Sequence, residues 1–185
     1  MTFKKLKRGI MVGVLALCAS LSATSAYSQE TFTFSRLSVA ETLENDKDNR
    51  YSIFLEAARV AGLYEFLADD SQVLSIFPPI NSAFEALPQD TLDDLLANPD
   101  ALRQVLLYHV VRERLSDATV CRIARENGGS YAIQTLTGED MILSCTDDNV
   151  ILVNGIATAR PELRVNSNRA LIHPTLGILF PPASG

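Results

Sequence analysis

The chain has 185 residues, of which 47% are hydrophobic, 21% charged and 7% aromatic, a balance that excludes an intrinsically disordered, collagenous or coiled-coil protein. Its 16 Lys and Arg against 22 Asp and Glu give a formal net charge of -6. Removing the 4 basic residues at the extreme N-terminus leaves 12 against 22, or -10, and because phosphate backbones repel so acidic a body we expect no nucleic-acid binding.

The first residues have the three parts of an export signal. A basic stretch, Lys4 to Arg8, precedes an apolar run of about a dozen residues, which is too short for the roughly 20 that span a bilayer. Small residues follow, and cleavage after Ala26 or Ser28 satisfies the small-x-small rule. We expect a signal peptide over residues 1–28, a single domain over residues 29–185 and no transmembrane segment. The compact, Lys-rich signal indicates a bacterial protein that is periplasmic or extracellular.

The first elements predicted in the domain are helices. From Tyr51 onward, apolar side chains recur every three or four residues until Gly62, which predicts an amphipathic helix that ends at this glycine. Residues 63–67 begin another short helix. A compact apolar strand follows at residues 73–77, and a proline pair closes it because proline has no N–H for a strand ladder.

Three helix-start signals come next in the sequence. Ser82 with Glu85 and Thr91 with Asp94 both have the spacing of a capping box, in which two side chains satisfy N–H groups of the first turn. The tripeptide at residues 98–100, Asn-Pro-Asp, places a cap, a first-turn proline and an acid at the positive end of a third helix.

Strand signals dominate the second half of the chain. Residues 116–126 predict one more short helix, which a glycine pair stops. Alternating apolar residues on both sides of Thr137-Gly138 predict a hairpin, and Asn154-Gly155 predicts a second, tighter one. The predicted strands lie at residues 131–135, 141–145, 150–153, 156–159, 163–172 and 177–180. Because the helices come early and the strands late, the predicted class is α+β.

Two cysteines remain after the signal segment, Cys121 and Cys145. An oxidising compartment permits them to form a disulfide, and closing that loop would stabilise the fold by about 3 kcal/mol. Two buried, reduced thiols are the alternative.

The sequence contains none of the common catalytic or metal-binding patterns. There is no Gly-x-Ser-x-Gly, no His-Glu-x-x-His, no Cys-x-x-Cys and no Gly-rich phosphate loop. His109 shares a helix face with Leu102 and Leu106, and His173 stands between Ile172 and Pro174, so we expect both imidazoles to be structural. The expected protein is not an enzyme and has no catalytic residue, metal site or cofactor.

Four segments, taken together and in this order, resemble the signatures of the fasciclin family. They are the strand and helix start at residues 74–84, the Leu-Leu-x-Asn-Pro element at residues 95–99, the Tyr-His motif within residues 106–111, and the closing signature in residues 153–155 and 171–181. The resemblance covers most of residues 40–182.

The resemblance implies a single fasciclin-like domain, a wedge or sandwich of about seven β-strands with a layer of five to six helices. It assigns structural positions to Asn81, Phe84, Tyr108, His109, Asn154, Gly155 and His173. Tyr108 and His109 would tie the third helix to a sheet, and Asn154-Gly155 would form a hairpin turn. Pro174 departs from the family pattern, and we expect a bulge or a sheet edge there because it removes a ladder donor.

Two functions remain as hypotheses. In the first, the family resemblance implies a cell-adhesion module that binds a protein or glycan on a cell surface or in a matrix, through exposed charges at Arg112, Glu113, Arg114, Arg122, Arg125 and Arg160. The second is a carrier of an apolar pigment or lipid, with a groove lined by Phe32, Phe34, Tyr51, Phe54, Tyr64 and Phe66. A solvated face and a packed core are the simpler interpretations of these two sets. The sequence predicts no oligomeric state.

Overall fold

The computed structural model describes residues 37–159, 163–165 and 169–182, which form seven helices and eight strands. The helices are α1 (Val39–Glu44), α2 (Ser52–Val60), α3 (Tyr64–Ala68), α4 (Asn81–Glu85), α5 (Gln89–Ala97), α6 (Pro99–Tyr108) and α7 (Asp117–Glu126). The strands are β1 (Leu74–Ile76), β2 (Val110–Val111), β3 (Ser130–Gln134), β4 (Asp140–Cys145), β5 (Ile151–Val153), β6 (Ile156–Ala157), β7 (Leu163–Val165) and β8 (Ala170–Ile172). The α+β class is confirmed, with slightly more elements than predicted. The predicted signal peptide lies outside the described residues.

Helix α2 forms where the apolar period predicts it. Phe54, Leu55 and Ala58 are buried along one face of this helix. Past its end the chain turns at Gly62, whose φ of +63° is the left-handed conformation that glycine adopts without steric cost.

The helix-start signals have mixed outcomes. Asn98 caps α6 as predicted, because its Oδ1 accepts a hydrogen bond from the N–H of Ala101 at 3.1 Å. The prediction of a capping box at Ser82 and Glu85 is wrong. Helix α4 begins one residue before Ser82, and Ile80 occupies the N-cap without a side-chain hydrogen bond.

The second predicted capping box, Thr91 with Asp94, is also wrong. Both residues lie inside α5, which begins directly after Pro88. A capping box does begin α1, a helix that the apolar period did not predict. There the Ser38 Oγ accepts from the N–H of Glu41 at 3.2 Å, and the Glu41 carboxylate accepts from the N–H of Ser38 at 2.8 Å.

The strands form two four-stranded sheets. The first has the order β2-β1-β8-β7, in which β1 and β8 are parallel and the other pairs antiparallel. The second is an antiparallel meander, β3-β4-β5-β6. Asn154 and Gly155 form its last turn as predicted, with φ values of 48° and 83°, and a two-residue hairpin turn of this kind requires positive φ at both positions.

Two expectations for the C-terminal region are wrong. Residues 177–180 form no strand, and the N–H of Leu179 donates to the His109 Nε2 at 3.0 Å instead of to a ladder. Of the bulge or sheet edge expected at Pro174, the edge is wrong, because β8 lies between β1 and β7. The proline follows the end of β8, where pairing continues on both sides: His173 and Thr175 donate to Ile76 and Pro78, and the carbonyl of Pro174 accepts from the N–H of Ala159 at 2.6 Å, a bond that proline cannot return.

The buried side chains form two clusters. One, which includes Phe54 and Ile172, packs helices α1 to α6 against the first sheet. The other, which includes Phe77, Val120 and Met141, fills the space between the two sheets and α7. None of the helices in the described part of the chain has the length and apolar character needed to cross a membrane.

Candidate interaction site

Asn81 ties the start of α4 to the start of α2. Its Oδ1 accepts from the N–H of Ile53 at 3.1 Å, and its Nδ2 donates to the carbonyl of Asn49 and to the Ser52 Oγ, each at 2.9 Å. Helix α2 has no side-chain cap of its own. Asn81 therefore caps a helix that precedes it by 28 residues in the chain. Phe84, the other family position on α4, is buried in the first cluster.

Tyr108 and Asn154 are brought together by the fold. The Tyr108 hydroxyl donates to the carbonyl of Asp140 at 2.8 Å and accepts from the Asn154 Nδ2 at 2.9 Å. The Asn154 Oδ1 in turn accepts from the N–H of Ile142 at 2.8 Å. The end of α6 is thus attached to the second sheet through the same residue that forms its last turn.

His109 is fully buried and bonded only to backbone atoms. Its Nδ1 lies 2.7 Å from the carbonyl of Val105, and its Nε2 accepts from the N–H of Leu179. Since Nε2 must carry a lone pair to accept this bond, the proton of the neutral ring is on Nδ1. Burial lowers the pKa of His109 to about 4, although the bond to Val105 acts in the opposite direction. The ring is an uncharged structural link.

His173 has a carboxylate neighbour that the sequence did not indicate. Its Nδ1 lies 3.1 Å from the Asp117 Oδ1, its Nε2 lies 2.7 Å from the carbonyl of Leu115, and its ring stacks on Phe77 at 5.1 Å. A catalytic triad also places an acid on Nδ1, but it needs a nucleophile on Nε2. Here Nε2 faces a backbone carbonyl and the ring is 1% exposed, so His173 cannot activate a hydroxyl.

Cys121 on α7 and Cys145 on β4 form a disulfide. It crosses from the helix to the second sheet, and the Cα atoms are 5.0 Å apart. Within the described ranges, no group of three or more His, Cys, Asp or Glu side chains is arranged to hold a metal ion.

A polar surface groove of about 390 Å³ lies beside the β3–β4 hairpin. Its lining residues are Arg112, Glu113, Gln134, Thr135, Leu136 and Gly138, and we call it the hairpin groove. The segment after β2 forms one wall and the hairpin the other, and the N–H of Leu136 joins the two by donating to the carbonyl of Val110 at 2.8 Å. The sequence singled out the first two lining residues but not the hairpin side, because only the fold brings them together.

Opposite charges stand side by side in the hairpin groove. Arg112 and Glu113 are both exposed, and neither forms an ion pair with another residue of the described ranges. Burial, and to a lesser degree the negative charge of Glu113, raises the pKa of the nearby Tyr131 to about 12. A ligand with hydrogen-bonding groups of both polarities could therefore contact both charges.

The other charged residues predicted to lie on the surface either interact with a partner or lie outside the described residues. Arg122 pairs with Glu126 at 2.7 Å, and Arg125 donates to the Asn149 Oδ1 at 2.8 Å. Arg114 also makes an interaction, and Arg160 is not among the described residues.

Four of the six aromatic residues proposed for an apolar carrier lie in the described part of the chain, and they belong to the packed core or lie against it. Tyr51 and Phe54 are buried in the first cluster, while Tyr64 and Phe66 pack against it. The cavity between Phe54 and Phe66 measures about 10 Å³, at the lower limit for a single water molecule. Phe32 and Phe34 lie outside the described residues.

Comparisons with known proteins agree with this geometry. Residues 49–174 match the family model described as Fasciclin domain. The chain is 29% identical over 180 residues to the transforming growth factor-beta-induced protein ig-h3 of Sus scrofa, covering 91% of this chain and 24% of that protein. It is 32% identical over 109 residues to the immunogenic protein MPB70 of Mycobacterium bovis, covering 59% of this chain and 50% of that protein. The chain thus spans about a quarter of the length of the first relative and half of the length of the second.

A solved structure has the same fold. It is a FAS1 domain pair from the insect cell adhesion molecule fasciclin I, with a TM-score of 0.62 and 16% sequence identity. The match covers 78% of this chain and 51% of that one.

Proposed function

The chain belongs to the fasciclin domain family, and from this premise we propose that it is an exported, non-enzymatic adhesion module that binds a protein or glycan on a cell surface or in a matrix. The solved neighbour that shares its fold comes from a cell adhesion molecule. The signal segment at residues 1–28 supports delivery of residues 29–185 to the periplasm or the cell exterior.

The observation that carries the proposal is the hairpin groove. It is open to solvent, measures about 390 Å³ and has an exposed cation and an exposed anion next to each other. Polar side chains with both signs of charge suit the hydroxyl, amide and carboxylate groups of a glycan or a peptide segment. Without a deep apolar pocket, binding at one such groove is weak, and many copies on one envelope strengthen it by avidity.

The histidines support a role without catalysis. His109 is uncharged and bonded to backbone atoms on both nitrogens. His173 is buried, and its Nε2 faces a carbonyl. Neither imidazole can therefore exchange a proton with a substrate in the hairpin groove or elsewhere on the surface.

The test is binding of the fluorescently labelled protein to the cells that produce it. The double variant Arg112→Ala, Glu113→Ala removes both charges of the hairpin groove and leaves the net charge unchanged. It should lower cell binding about tenfold, as loss of an interface centre does. Arg122→Ala, Glu126→Ala is the matched control, because it removes an exposed ion pair from α7 without touching the groove.

Both variants should keep the melting temperature of the unmodified protein, so that any loss of binding reports on contact. Equal binding by the two variants would remove the hairpin groove from the proposal. An unmodified protein that binds neither the cells nor their matrix would remove the adhesive function itself.

A further inference from the structure

Strand β3 is an edge of the second sheet and pairs only with β4 within the described ranges. Two hydrogen bonds just beyond its end fix the direction of its backbone groups. The N–H of Thr135 donates to the carbonyl of Glu139 at 2.9 Å, on the β4 side, whereas the N–H of Leu136 donates to Val110, on the opposite side. Successive residues of a strand direct their N–H and C=O to alternate sides.

It follows that the N–H and C=O groups of Ala132 and Gln134 face away from β4. The neighbouring strand gives the same alternation, because both backbone groups of Ile142 bond to Asn154, on the β5 side. In the described part of the chain, no residue accepts or donates at this outer side of Ala132 or Gln134. Strand β3 therefore presents an unpaired ladder, which borders the hairpin groove at Gln134.

This edge has no charge, no proline and no bulge to block it. Exposed edge strands are commonly blocked by lysine, proline, an inward charge or a bulge. The sequence of β3 is Ser-Tyr-Ala-Ile-Gln, without a charge or a proline, and its register with β4 is regular from Ser130 to Gln134. Such an edge does not repel a second copy of itself.

The two ends of β3 are shaped so that a second, antiparallel copy fits beside the strand. Beyond Gln134 the Leu136 bond to β2 closes the ladder, and the hairpin groove opens there. Before Ser130 the chain turns at Gly128 and Gly129, whose φ values of 76° and 110° direct it away from the strand, with open space around both residues. In an antiparallel pair, the start of β3 in one copy lies beside the end of β3 in the other. The chain of the first copy therefore turns away, at its two glycines, next to the place where β2 prevents further pairing in the second copy.

We propose that β3 pairs with β3 of a second copy of this chain, antiparallel and about a two-fold axis at Ala132. Ser130 of each copy then faces Gln134 of the other, and Ala132 faces its own counterpart. Tyr131 faces Ile133 of the second copy, and a pair of an aromatic and a β-branched residue is favourable across strands. The second sheet of one copy and the second sheet of the other then form one continuous sheet. This inference goes beyond the proposed function and does not depend on it.

The association should be weak. Five residues per strand give about six backbone hydrogen bonds in this register, far less than the interface of an obligate dimer. A weak self-contact becomes effective where many copies lie on one surface.

The experiment is sedimentation velocity over a wide range of concentration, on protein produced from the full chain. The unmodified protein should change from monomer to dimer as concentration rises. Ala132→Lys places two like charges opposite each other at the two-fold axis and should raise the dissociation constant up to about fivefold. Ala132→Glu should do the same, and a mixture of the two variants should form a heterodimer.

Ile142→Lys is the matched control. Ile142 is exposed and is the cross-strand partner of Ala132, but it lies on β4, which is not an edge, so this variant should still form the dimer. A protein that stays monomeric at every concentration overturns the proposal, as does a dimer that Ala132→Lys leaves intact. If the unmodified protein stays monomeric at every concentration and Ala132→Lys abolishes its binding to cells at an unchanged melting temperature, the edge accepts a strand from another protein, and pairing with itself is wrong.

Discussion

Asn81 caps a helix to which it does not belong, through a 3.1 Å hydrogen bond from the N–H of Ile53 to its Oδ1. Ile53 is in the first turn of α2, where N–H groups have no partner within the helix. The backbone N–H of Asn81 also donates to the carbonyl of Arg50 at 2.7 Å. This one residue therefore links the starts of two helices that are distant in sequence.

Asn81→Ala should lower the free energy of unfolding by about 2 kcal/mol, because the orphan N–H of Ile53 and two further polar groups lose their partner. Asn81→Asp should cost less, since a carboxylate still accepts from Ile53 but cannot donate to Asn49 or Ser52. Urea unfolding measures both. Ser82→Ala is the control, because Ser82 is exposed and caps no helix. Equal losses at positions 81 and 82 would contradict the capping role.

Two tyrosines should differ in how much stability they lose when the hydroxyl is removed. Tyr108→Phe removes a donor to Asp140 and an acceptor for Asn154, and should destabilise the fold by about 1–2 kcal/mol. The buried hydroxyl of Tyr131 has no hydrogen-bond partner among the described residues. Tyr131→Phe should therefore leave stability unchanged or raise it by up to about 1 kcal/mol. Thermal unfolding of the two variants tests this contrast, and a large loss with Tyr131→Phe would show a partner for that hydroxyl.

Acid should destabilise the protein through His109. Its pKa is about 4 in the folded state, against 6.5 for an ordinary histidine, so below pH 6.5 the unfolded chain takes up a proton that the folded chain does not. The contribution of neutral His109 to the free energy of unfolding is fully present above pH 6.5. It decreases as the pH falls toward about 4, by about 3 kcal/mol in total. The pKa of Asp46 is lowered below 3.8, chiefly by its hydrogen bonds to Arg50, so its contribution is lost only at more acidic pH.

Nitrogen NMR of the imidazoles checks this prediction directly. His109 should stay neutral, with its proton on Nδ1, at a pH where free histidine is charged. His109→Gln should flatten the slope of unfolding free energy between pH 6.5 and 4. A charged His109 ring in the folded protein at pH 5.5 would contradict the prediction.

The disulfide should stabilise the second sheet and its helix. Cys121 and Cys145 are separated by 24 residues, and closing a loop of this length restricts the unfolded chain by about 3 kcal/mol. The double variant Cys121→Ser, Cys145→Ser should lose that amount in urea unfolding, and reduction of the unmodified protein should lose a similar amount. The doubly substituted protein should not respond to the reductant, which provides the control. Identical stability with and without the bond would contradict the prediction.

Local signals were sufficient for much of the fold. Gly62, Asn98 and the Asn154-Gly155 turn each act within a few residues of their own position, and each is found where the sequence predicts it. The same holds for the hairpin around Thr137-Gly138.

Long-range hydrogen bonds account for some of the failures, and the short length of an element accounts for another. Asn81 bonds to α2 across 28 residues, and α4 starts without the capping box that its sequence suggests. The segment at 177–180 has the apolar character of a strand, yet the N–H of Leu179 bonds to a histidine 70 residues away. Helix α1 has only six residues, too few for an apolar period to stand out.

The candidate site was less accessible to prediction than the fold. The sequence indicates surface charges at Arg112 and Glu113, but it does not indicate the opposite wall at Gln134, which forms only when the hairpin lies beside β2. Asp117 reaches His173 across 56 positions of sequence, and no motif relates two residues at that spacing.

The measurement that tests the central claim most directly is adhesion and co-aggregation of cells that lack the protein. Deleting its gene should reduce both, and adding back the purified, unmodified protein should restore them, whereas the Arg112→Ala, Glu113→Ala variant should restore neither. Cells that adhere and co-aggregate normally without the protein would contradict a role in holding surfaces together.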